Sequence, residues 1–109
     1  MRIASRLVYP EARAALAAAA RDGRIDERTQ RTTVSDLESA CAAMLLIGVD
    51  WSLALHAGKI AENHALRGYY AVHLATALAA NATDLVLVTW DHDLARAAVR
   101  SGLAVIPPA

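Results

Sequence analysis

Phenylalanine is absent from the 109-residue chain and cysteine occurs once. The apolar share is still 56%, so alanine and the aliphatic residues must build the core. That composition predicts thin helix–helix contacts with close backbone approach. The lone Cys41 can form no intrachain disulfide, which excludes a disulfide-stapled scaffold and fits a cytoplasmic chain. Set among Ala and Ser in a helical pattern, it reads as a buried structural thiol rather than a nucleophile. A charge excess of either sign is also missing, since eleven Lys and Arg balance eleven Asp and Glu. Nothing global therefore calls for nucleic acid, and only a local basic patch would bind it. Long apolar runs are lacking as well. The longest, Ala42 to Val49, is far too short to span a membrane, and Met1-Arg2-Ile3-Ala4 has no apolar run behind it to make a signal peptide. The length suits a single domain.

What is present is an alternation of strands and helices. Ile3-Ala4 reads as a strand end, and Ser5 as an N-cap for a helix running to Arg21, with Pro10 in its first turn. Gly23 suits the C′ position. The polar stretch 25–32 reads as a solvated helix turn or loop. Ser35-Asp36-Leu37-Glu38 has the form of a capping box, which predicts a helix from there to Ile47, stopped by Gly48. Val49-Asp50-Trp51 reads as a short strand or extended link, and Ser52 as the cap of a helix to Ala65. Arg67-Gly68 leads into a further helix, Tyr69 to Ala80, with Asn81 as its left-handed stop. The clearest strand is 84–90, whose unbroken apolar run predicts burial on both faces. Asp91 opens the last helix, which ends at Ser101-Gly102; Leu103 to Ile106 forms the last strand, closed by Pro107-Pro108. The order argues α/β with a parallel sheet.

Ligands of open α/β sheets sit beyond the carboxyl ends of the strands, and Asp91 stands at such an end. It is equally explained as an N-cap, as Asp93 and Glu11 are by the dipole at their helix N-termini. The functional alternative is a hard-cation site, because Mg²⁺ takes one or two carboxylates together with substrate phosphates. His56 and His64 are too far apart along one helix to share a zinc ion.

Three stretches in register turn these residues towards a family. They are Ser5 to Ala12, the run from His64 to Ala75 containing Arg67-Gly68-Tyr69-Tyr70, and Val88-Thr89-Trp90-Asp91 with Leu94, Ala97 and Ala98 after it. With Gly102 to Pro107 they cover nearly the whole chain, which resembles the PIN domain, in particular the VapC-type toxins of bacterial toxin–antitoxin pairs. The resemblance implies a three-layer αβα fold around a short parallel sheet. It implies Mg²⁺- or Mn²⁺-dependent cleavage of RNA, often tRNA or rRNA, by clustered acidic residues, and a cognate antitoxin as partner. Glu11 and Asp91 match two of those acidic positions, and Asp93 is an auxiliary without a firm match.

Two departures matter. Family members begin with a central strand carrying an aspartate, and the chain has no counterpart to it, so it reads as an N-terminally incomplete single domain over residues 1–109. Where the family has an aspartate after Arg-Gly-Tyr, this sequence has Tyr70. A phenol is neutral near pH 7, larger than a carboxylate and a poorer ligand for Mg²⁺. The expectation is weak metal binding and impaired RNA cleavage. A missing central strand would leave two exposed strand edges or a collapsed sheet, so the expectation is a homodimer, in which a second copy covers the edges, or a rearranged core. The alternative is a non-catalytic PIN-like protein that binds an antitoxin or itself.

Overall fold

A computed structural model describes residues 1–107; Pro108, assigned above to the close of the last strand, lies outside them. The chain is mixed α/β, with five helices, four strands and two parallel strand pairs among these residues. It divides into two compact units, residues 1–48 and 49–109.

In the first unit β1 (Ile3–Ser5) pairs in parallel with β2 (Leu45–Ile47), Ile3 opposite Leu45 and Ser5 opposite Ile47. Ser5 is buried, and its hydroxyl accepts the Leu7 N–H at 3.2 Å. It therefore shapes the turn out of β1 instead of capping α1 (Val8–Arg21), whose N-cap Leu7 offers no side-chain bond. Pro10 falls in the first turn, where its missing N–H costs no helical hydrogen bond. Gly23, at φ +74°, ends the helix as expected.

The capping-box reading of Ser35 and Glu38 is corrected. Helix α2 runs Glu27–Ala42, starting eight residues earlier, because Asp26 caps it by accepting the Thr29 N–H at 2.7 Å. An exposed Arg31–Glu27 pair at i,i+4 supports that first turn. Mid-helix, Glu38 instead accepts a 2.7 Å hydrogen bond from the Tyr9 hydroxyl of α1, and Arg13 donates to the same hydroxyl at 3.0 Å. At the other end α2 stops at Ala42, and Leu45–Ile47 turns to strand, where pairing with β1 overrides the apolar helical pattern. Cys41 is a half-buried free thiol on α2.

In the second unit α3 (Trp51–His64) starts at Asp50, which accepts the Leu53 N–H at 2.8 Å; Asp50, not Ser52, is the cap. Ala65 ends α3 in a left-handed conformation, and Asn81 does the same for α4 (Gly68–Ala80). Helix α3 packs mainly on α4; α3 buries Leu53, Ala57 and Ile60, and α4 buries Ala71, Leu74 and Ala75 fully. Strand β3 (Val86–Val88) leads to α5 (His92–Arg100), which buries Leu94, Ala95, Ala97 and Ala98. Gly102, at φ +89°, turns the chain into β4 (Ala104–Ile106), which pairs in parallel with β3. The apolar run at 84–90 is not buried on both faces: Val86 is 42% and Val88 58% exposed. A two-stranded sheet has too few neighbours to cover both sides of a strand.

Candidate active site

Asp91 follows β3 and opens α5. Two local hydrogen bonds hold it. Its N–H donates to the Thr89 hydroxyl at 3.1 Å, and its Oδ1 accepts the Leu94 N–H at 2.8 Å. The Thr-x-Asp turn at the strand end thus aims the carboxylate while the helix consumes one of its oxygens. The capping role and a chemical role are compatible, since the cap takes one carboxylate oxygen and the charge of Asp91 also acts on neighbouring groups.

Those groups come from the start of α4. The Tyr69 and Tyr70 rings are in tilted contact, with centroids 4.3 Å apart and planes at 41°. Tyr70 is half-buried, and its phenol pKa is pushed up to about 12. A hydrogen bond with Tyr69 is the first cause, followed by desolvation and then by the negative charge of Asp91, within hydrogen-bonding reach of the phenol. The phenol therefore keeps its proton across the physiological range. Arg67, the residue before the helix, donates to the Tyr69 hydroxyl at 3.4 Å. That bond does most to favour its charged form, and the Asp91 charge adds to it. Arg67, Tyr69, Tyr70 and Asp91 form one polar line at the ends of β3 and α4.

Asp93 lies two residues further, in the first turn of α5, and is paired with Arg96 at the surface. Beside that pair is a cleft of about 230 Å³, bounded by His64 and Ala65 at the end of α3 and by Asp93, Arg96, Ala97 and Arg100 of α5. The sequence reading passed over this cleft, although Asp93, Arg96, Ala97 and Arg100 have the i, i+3, i+4, i+7 spacing of one helix face.

Glu11 is in the other unit, in the first turn of α1. Its N–H donates to Leu7 O at 3.1 Å, and its side chain is half-exposed. Among the described residues no three His, Cys, Asp or Glu side chains come together as a metal site. In the second unit the donors near Asp91 are a protonated phenol and a carboxylate already paired with arginine. Such a set falls short of a divalent-cation site, which is built from carboxylates and other hard oxygen donors. No helix among the described residues is long and apolar enough to cross a membrane.

No family model matches the chain. Two curated relatives from strains of Mycobacterium tuberculosis do. Ribonuclease VapC45 and Ribonuclease VapC49 are each 44% identical to it over 105 residues. Each match covers 96% of this chain and 73% of the relative. Identity at that level over nearly the whole chain agrees with the three stretches in register and with the alternating α/β order. The chain accordingly belongs to the VapC-type, PIN-domain family of toxin ribonucleases.

Proposed function

We propose that this chain is a VapC-type endoribonuclease of a toxin–antitoxin pair whose acidic site is impaired. Its substrate is RNA, of the tRNA or rRNA class, and its partner is a cognate antitoxin. Glu11 and Asp91 are the catalytic carboxylates, with Asp93 auxiliary, and Mg²⁺ or Mn²⁺ is the cation they would bind weakly. When bound, such a cation would activate water and neutralise phosphate charge.

One observation carries the reading of impairment: the Tyr70 phenol stands at Asp91 with its proton held firmly. A neutral phenol supplies no charge to attract a cation. Asp93 would have to leave Arg96 to help. Calorimetric titration with Mg²⁺, beside an RNA cleavage assay, tests the reading on the chain and on Tyr70→Asp. The chain is expected to bind weakly and cleave slowly, and Tyr70→Asp to improve both. Robust cleavage by the unaltered chain, lost on Glu11→Ala and on Asp91→Asn, would overturn the impairment.

A second reading is a non-catalytic interaction protein. The strand surfaces favour it, since Val86, Val88 and Ile106 are exposed on the β3–β4 pair. Uncovered apolar strands of this kind support self-association into a homodimer. This reading expects no gain of cleavage in Tyr70→Asp. Sedimentation equilibrium giving a monomer at every concentration would reject the dimer.

A further inference from the structure

We propose that the cleft between the end of α3 and α5, bounded by His64, Arg96 and Arg100, holds a backbone phosphate of single-stranded RNA next to the Asp91 site. The inference rests on the ribonuclease reading and adds where the substrate strand is gripped. The cleft of about 230 Å³ has room for a phosphate group because its small lining residues are Ala65 and Ala97. Its rim carries two guanidinium groups and an imidazole against a single carboxylate. That carboxylate, Asp93, is paired with Arg96, which orients one guanidinium and leaves it further N–H donors. Arg100 makes no ion pair among the described residues. Planar guanidinium groups match phosphate oxygens two at a time, which makes arginine the suited residue here.

Continuity with Asp91 favours RNA over an acidic peptide. His64 lines the cleft, and three residues later Arg67 lies where Asp91 adds to its charged form. Three residues span at most about 10 Å, so cleft and carboxylate lie a short chain segment apart. Side chains of a helix lean towards its N-terminus, which tilts Arg96 and Arg100 towards the Asp91 end of α5. Beside Arg67, Tyr69 is 38% exposed and offers an aromatic surface against which a base can stack. A strand that places a phosphate in the cleft thus meets a cation, an aromatic face and then the carboxylate.

The probe is an end-labelled uridine-rich single-stranded RNA, read by fluorescence anisotropy in EDTA over a salt series, so that binding is measured without cleavage. Arg100→Gln is expected to weaken binding several-fold at low salt. It should also reduce the slope of log affinity against log salt by about 0.7, the value for one lost phosphate contact on a single strand. Arg100→Lys should restore most of the slope, and Arg28→Gln on α2 should leave it unchanged. An unchanged slope in Arg100→Gln and in His64→Gln overturns the proposal. So does Arg100-dependent binding of polyglutamate with Arg100-independent binding of RNA. Cleavage is assayed separately: Arg100-dependent binding without cleavage in any variant keeps the cleft and rejects the nuclease, and cleavage with an Arg100-independent slope does the reverse.

Discussion

The Tyr70 hydroxyl stands within hydrogen-bonding reach of the Asp91 carboxylate, whose Oδ1 is already taken by the Leu94 N–H. The pair links the start of α4 to the start of α5 and sets a neutral phenol beside a carboxylate. Two carboxylates so placed would repel until a cation neutralised them. A neutral phenol beside the carboxylate raises no such demand for a cation.

This pairing predicts a tyrosine titration. The folded pKa of about 12 lies above the ordinary phenol value of 10.0. A raised folded value stabilises the fold fully below pH 10, and that contribution is lost as pH rises through 12. Near-ultraviolet titration of the folded chain should show a tyrosine step displaced above the ordinary phenol value. The late step should vanish in Tyr70→Phe. A late step that survives in Tyr70→Phe would assign the shift to another ring.

Much of this was readable in the residues, and the failures have local causes. The α4 boundaries, the left-handed Asn81 and the Asp91 turn follow from Gly, Asn and Asp chemistry that needs no tertiary partner. Position 70 could be singled out because the surrounding motif is short and its members are close in sequence. The α2 start was misread because two cap signatures compete, and Asp26 with Thr29 wins over Ser35 with Glu38. Glu38 was drawn away by Tyr9, a partner 29 residues distant that no window reveals. Leu45–Ile47 became a strand only through pairing with β1. The His64–Arg96–Arg100 cleft was hidden for a like reason: half of it belongs to a helix thirty residues away.

Leu74 tests the thin core. It is fully buried, and its neighbours Ala71 and Ala75 are too small to fill a void. Leu74→Ala should therefore cost about 2–5 kcal/mol, against a few tenths for Leu55→Ala, whose side chain is half-exposed. Urea unfolding followed by circular dichroism measures both. Equal midpoints would mean that the α3–α4 contact is not where stability resides.

Asp26 gives the acid side of the stability profile. Its pKa is lowered, first by the hydrogen bond from the Thr29 N–H. A depressed folded value gives stability that is present above the ordinary aspartate value of about 3.9 and lost as pH falls through the folded one. Asn keeps the capping geometry but does not titrate there. Asp26→Asn should thus lose less α2 helicity than the unaltered chain when pH is lowered below about 4. Parallel losses in the two proteins would show that other carboxylates govern the acid limb.

Asp91 requires two substitutions, because it does two things. As the cap of α5 it accepts the Leu94 N–H, and as the carboxylate beside Tyr70 it is the proposed catalytic group. Asp91→Ala removes both and should lower stability by about 1 kcal/mol. Asp91→Asn keeps the cap, so its stability should stay within about 0.5 kcal/mol of the parent. Both should release the phenol from a nearby negative charge and bring the late tyrosine step down. Both should also abolish the cleavage that Tyr70→Asp is expected to strengthen. Asp50→Ala, which removes the equivalent cap from α3, should match the stability loss of Asp91→Ala and leave cleavage in place. If Asp91→Asn cleaves as well as its parent, Asp91 is a cap and nothing more, and the catalytic carboxylate must be sought elsewhere.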